Sequence, residues 1–215
     1  MRVLQRKNQK TRRPQPQRRR SLRLTPHAWA KLRFLRDAGP TEIGCFGVSD
    51  PQDLLLVRDV TPVRQACSAV SVAFDDAAVA DYFDQQADAG LSPQQFGRIW
   101  FHTHPGVSPH PSGTDEATFA RVFGPADWAV MAILARGGGW YARLGVSAGP
   151  GASQRLPVRV AWDEPFGGSD HAAWLAQYAA CVEPEPDWDD LEGLGERLFG
   201  IDPEAAEALW SCPPD

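Results

Sequence analysis

The segment WAVMAILA, Trp128 to Ala135, runs for eight residues with no charged side chain. Asp127 precedes it, and Arg136 and three consecutive glycines close it. A short apolar run bounded by turn residues reads as a strand buried on both faces, which makes it a central strand. A central strand needs a neighbour on each edge and a layer of cover on each face.

The rest of the chain supplies these in an irregular order. TPHAWAKLRFLRDAG reads as a helix with Thr25 as N-cap and Pro26 at the first helical position. Trp29, Leu32, Phe34 and Leu35 give it an apolar face, and Gly39 ends it. EIGCFGVS, from Glu42, and LLLVRDVTPV read as two strands of a hairpin joined at SDPQD. SAVSVAF is expected as a third strand, followed by a helix capped by Asp75 and ended by Gly90. FGRIWFHTH is a strand and DEATFARVF a helix begun at Ser112 or Thr114. GGGWYARLGVS returns from the central strand as its hairpin partner, LPVRVAW adds a strand, and HAAWLAQYAACV is a helix. Hairpins without regular strand–helix–strand alternation predict an α+β domain whose central sheet, mixed or antiparallel, is flanked by helices.

At 215 residues and 43% hydrophobic, the chain can bury a core of one domain with extensions. Its charge is lopsided. Residues 1–24 hold ten Arg and Lys and no acid; residues 163–215 hold fourteen Asp and Glu against the single base Arg197. The expected division is a disordered basic arm over 1–24, a domain over 25–162, and an acidic, aromatic-containing helical extension over 163–215. No aromatic side chain in the arm can stack on bases, which argues against nucleic acid as its partner. The four cysteines form no C-x-x-C, no apolar run follows the basic start as a signal peptide requires, and no stretch reaches the roughly 20 apolar residues of a membrane span. A cytoplasmic protein with reduced thiols is the expectation.

Three of the five histidines crowd into IWFHTHPGVSPHPSGTDEATF, at His102, His104 and His110. At a strand end, His-x-His puts both imidazoles on one side. Asp115, carried in by the next helix, can add an oxygen, and zinc accepts such nitrogen and oxygen ligands. Three protein ligands leave a fourth position for water, whose pKa then falls to about 7. Each part has a plainer reading. Two loop histidines are common, and Ser112-x-x-Asp115 is also the pattern of a helix capping box. The joint spacing is more specific than either half.

The full string, His102-Thr103-His104-Pro105, six residues, then Ser112-Gly113-Thr114-Asp115, resembles the JAMM motif of the MPN (Mov34/JAB) metalloprotease family. The approach FGRIWFHTHP and Glu42 in GPTEIGCFGVSD, upstream after the first helix, match that pattern too. The resemblance covers about residues 25–161. It implies an MPN, cytidine-deaminase-like core and one zinc ion per chain held by His102, His104 and Asp115. Glu42 would be the general base toward the zinc water and then the proton carrier to the leaving amine, and Ser112 the donor to the oxyanion. His110 matches no ligand position, and Cys45, three positions from Glu42, is expected in the core.

The implied activity is hydrolysis of the peptide or isopeptide bond after the Gly-rich C-terminus of a ubiquitin-like protein. The implied partners are that modifier, its conjugates, and the activating and conjugating enzymes of the same system. Three other readings stand beside it: trimming of a sulfur-carrier protein, a RadC-like nucleic-acid-associated protein, and a scaffold without activity. The RadC-like reading lacks a helix-hairpin-helix segment before the domain, and the intact Glu42, His102, His104, Ser112 and Asp115 set argues against the scaffold.

Overall fold

The computed structural model describes residues 20–185. The chain begins with β1 (Leu22–Leu24) and α1 (Pro26–Asp37), where the Thr25 hydroxyl accepts a hydrogen bond from the Ala28 amide and Pro26 opens the helix. β2 (Gly44–Ser49) and β3 (Leu56–Pro62) form the expected antiparallel hairpin. β4 (Gln65–Cys67) and β5 (Val72–Phe74) form a second, small one. Then come α2 (Asp76–Asp88), capped by the Asp75 carboxylate, the short α3 (Pro93–Phe96), β6 (Ile99–His104) and α4 (Gly113–Phe123). β7 (Trp128–Ala135), β8 (Trp140–Val146), β9 (Ala152–Arg155), β10 (Val158–Val160), α5 (His171–Cys181) and β11 (Val182–Pro184) follow.

Eight strands form one mixed sheet in the order β10-β1-β3-β2-β6-β7-β8-β9, and β11-β4-β5 form a second. β7 lies between β6, its parallel neighbour, and β8, antiparallel to it. Val130, Ala132 and Leu134 enter the core cluster beneath α1, while Ala129, Met131 and Ile133 enter the cluster on the other face with Tyr82, Phe96 and Phe123. Burial on both faces is why this strand has no polar alternation. The sheet curls. Leu156 donates its amide to Ala142 O on β8 at 2.9 Å, and the next carbonyl, Pro157 O, accepts from the Leu22 amide on β1 at 3.0 Å. Adjacent residues thus bridge the two ends of the sheet.

The domain includes a strand before the expected boundary at residue 25. Leu22 and Leu24 are fully buried, and β1 runs parallel between β10 and β3. The arginines hid a Leu-x-Leu alternation: the two leucines face inward while Arg23 turns out to Asp53. The expected arm loses these residues to the domain, and residues 1–19 lie outside the described part. Leu24→Ala should therefore cost about 2–5 kcal/mol, as fully buried leucines do. Urea unfolding would measure it, and a change within error would mean that β1 contributes nothing to the sheet.

Two further differences concern SAVSVAF and the extension. Ser68 to Ser71 turn the chain, their hydroxyls 2.7 Å apart, so only Val72–Phe74 of the expected strand is extended. Of the extension, α5 and β11 pack on the domain. Trp174 is 3% exposed and meets Phe34 and His27 of α1 edge-on, while β11 pairs with β4. Trp188, Leu191, Leu194, Leu198, Phe199 and Trp210 lie outside the described residues. Among the described residues, no helix is long and apolar enough to cross a membrane.

Candidate metal centre

β6 carries both histidines. His102 and His104 face α4, whereas Thr103 between them faces the other way and accepts the Ile43 amide in its hydroxyl at 3.1 Å. The alternation of one strand thus aims two imidazoles at the site and uses the residue between them to hold the chain beside Glu42. His102 is fully buried, opposite Gly44 of β2 and Ile133 of β7, with its ring stacked on Trp100. His104 ends the strand. Its Nδ1 lies 2.8 Å from Ser108 O, a carbonyl that can only accept, so Nδ1 carries the proton and the neutral ring keeps its lone pair at Nε2.

Asp115 stands at the third position of α4 and serves two purposes. Its Oδ2 accepts from the Ser112 amide at 2.6 Å and from the Ser112 hydroxyl at 2.8 Å, while its own amide donates to Ser112 Oγ at 3.1 Å. This is a complete capping box. The same carboxylate places Oδ1 3.1 Å from His102 Nε2 and Oδ2 3.6 Å from His104 Nε2. The cap and the site are therefore one arrangement.

Glu42 lies two residues before β2 rather than on the expected strand. Its amide donates to Ser68 O at 2.8 Å, and its side chain is buried beside His104, with Oε1 3.6 Å from Nε2. Its other oxygen, Oε2, is buried without a hydrogen-bond partner among the described residues.

Burial pushes the Glu42 carboxyl up to about 7, against the pull of His104. It pushes His102 down, with Asp115 opposing. His104 is raised, chiefly by its hydrogen bond with Asp115. For Asp115 burial favours the neutral acid, but hydrogen bonds to His102 and His104, with the Ser112 amide, hold it well below the usual carboxylate range.

One ligand atom from each of Glu42, His102, His104 and Asp115 lies within 4.8 Å of all the others, so the group could hold a metal ion. Ligands about 2.0–2.2 Å from a common centre in a tetrahedron stand roughly 3.3–3.6 Å apart. His102 and His104 Nε2 are 3.2 Å apart, close to one edge of such a figure, while Asp115 approaches His102 through Oδ1 at 3.1 Å and His104 through Oδ2 at 3.6 Å. Glu42 Oε1 approaches His104 at the same 3.6 Å as Asp115 Oδ2 does.

No protein-family model matches this chain, and a search of curated proteins finds no match. The site stands on its own geometry. Four of the five expected residues converge on one point, and the fifth, Ser112, is held against Asp115. His110 is exposed and outside the group, and Cys45 is buried in the core, where burial raises its thiol far above the usual range. Sequence reading missed Ser108, whose carbonyl orients His104, and Gln65. The buried Gln65 amide accepts the Gly44 amide at 2.7 Å and donates to Gly44 O at 2.9 Å, steadying the start of β2. A main-chain carbonyl leaves no trace in a sequence, and a lone glutamine leaves little.

Ser112→Ala removes the cap hydroxyl. It should keep the metal and lower stability by about 0.5–2 kcal/mol. Metal analysis and urea unfolding check both, and loss of metal would make the hydroxyl essential for holding Asp115.

Proposed function

We propose that the chain is a zinc-dependent peptidase or isopeptidase of the JAMM type, which hydrolyses the amide bond after the Gly-rich C-terminus of a ubiquitin-like protein. One observation carries this reading: His102, His104 and Asp115 of the H-x-H-P…S-x-x-D string and the distant Glu42 meet within 4.8 Å. Two imidazoles and a carboxylate are donors that zinc accepts, and a mixed sheet with helices on both faces suits the MPN-type core that the motif implies. A divalent ion bound there supplies Lewis acidity toward water and toward the amide carbonyl.

The chain's own residues do the rest. Glu42 takes the proton of the attacking water on its carboxylate and delivers it to the nitrogen of the departing amine. The Ser112 hydroxyl, which donates to Asp115 in the resting arrangement, turns to the oxyanion as charge develops. A Gly-Gly tail fits because it presents main chain without side chains, allowing close approach.

The test combines metal analysis with cleavage of a panel of ubiquitin-like fusions ending in Gly-Gly. The expected result is zinc in the protein and cleavage after the second glycine. Ser112→Ala should be slower by roughly 10²–10³. A zinc-loaded chain that cleaves none of the panel would remove the substrate assignment.

A further inference from the structure

Glu42 belongs to no helix or strand, so its carboxylate is only as well placed as the segment 38–43 that carries it. The far end of that segment is pinned by three hydrogen bonds: Glu42 amide to Ser68 O, Ile43 amide to Thr103 Oγ1, and Thr103 amide to Ile43 O at 3.0 Å. The near end, from Ala38 to Thr41, pairs with no strand.

Two arginines cross there. Arg36, in the last turn of α1, donates Nη1 to Ala135 O at the end of β7, at 3.1 Å. Arg136, the next residue along β7's path, reaches the opposite way and donates Nη2 to Gly39 O at 2.8 Å. The Arg136 main-chain amide donates to His104 O at 2.9 Å and is shared with Gly106 O at 3.1 Å. One residue is thus bonded both to the main chain of His104 and to the loop leading to Glu42.

Gly39 is closed in from the other side by Tyr178 of α5. A Cβ at this position would collide with the phenol oxygen, so a larger residue would have to push the tyrosine tip aside. The loop is held between a guanidinium and a tyrosine.

We infer that Arg136 is a positioning residue: it fixes the distance between Glu42 and His104 by tying Gly39 to the end of β7. The inference rests on the reading of Glu42 as proton carrier. Without the side chain, Gly39 O turns to water and the peptides from Gly39 to Thr41 are free to tilt. A misplacement near 1 Å costs on the order of 10²-fold in rate. Arg136 is exposed, so its removal strands no buried polar group, whereas Arg36 is buried and its loss would threaten folding.

The experiment compares the full chain, metal-loaded, with Arg136→Ala and Arg136→Lys. It measures turnover of a Gly-Gly-ended fusion, bound metal, and amide hydrogen exchange residue by residue. Arg136→Ala should lower kcat about 10- to 100-fold, with KM and metal content unchanged. Exchange should speed up at Glu42 and Ile43 but not along β6 and β7. Arg136→Lys keeps a donor on a stem of similar length and should recover most of both effects.

Unchanged exchange at Glu42 and Ile43 in Arg136→Ala overturns the inference, whatever happens to the rate. So does a loosening spread equally through β6 and β7, which marks a general structural role. If the unaltered chain cleaves no fusion, exchange alone decides. A selective change at Glu42 and Ile43 then upholds the positioning role while the hydrolase reading falls.

Discussion

Glu42→Gln is expected to leave fold and metal content intact and to reduce turnover by roughly 10²–10⁴, the usual contribution of a placed acid–base group. The amide has nearly the size and shape of the carboxylate, so the contacts around segment 38–43 survive. It cannot take a proton from water or return one to an amine. His102, His104 and Asp115 still offer three ligands without Glu42, the number a catalytic zinc takes from its protein. Turnover and metal content measured on the same sample check both halves. Wild-type turnover would mean that another group acts as base, and loss of metal would make Glu42 a ligand.

The second large effect concerns the metal. The unaltered chain should bind about one zinc, since three protein ligands and an open position make a catalytic site. His102→Ala with His104→Ala should retain almost none, because a single carboxylate is left to hold the ion beside Glu42. Asp115→Asn tests the third ligand better than Asp115→Ala, since the asparagine oxygen can still accept from Ser112 and spare the cap. An ion that binds only the folded state stabilises it by about 2.7 kcal/mol at a hundred times Kd. A chelator should therefore lower the thermal midpoint of the unaltered chain and leave that of the double variant unmoved. Stoichiometric zinc in the double variant would place the metal elsewhere.

β7 and the histidine pair were legible in the sequence because each obeys a local rule. Burial on both faces removes alternation from Trp128–Ala135, and a period of two brings His102 and His104 to one side. Asp115 was legible through its spacing from Ser112, although that spacing alone could not tell a cap from a ligand; in the structure it is both. Glu42 had no local signal, since bonds to Ser68 and Thr103 place it from far along the chain; only the resemblance to a known motif pointed to it. β1 was missed because Arg23 and its basic neighbours outweighed two leucines. Arg136 was missed for a different reason: its contacts go to carbonyl oxygens, and the identity of the residues bearing them is immaterial.

The pairing of β1 with β10 sets a condition on when this domain can form. Leu22 is synthesised long before its strand partner Val158, which comes near the end of the sheet's sequence. Ribosomes add about 5–20 residues per second, so β1 waits several seconds or longer for that neighbour. Pairings so distant in sequence also fold slowly once both strands exist, because a long loop must close first. During that wait Leu22 and Leu24 remain uncovered on one edge, beside a stretch of arginines that repel one another and discourage aggregation. Charge beside an uncovered strand edge disfavours its pairing with other chains, so the sequence around β1 is suited to a strand whose partner arrives late.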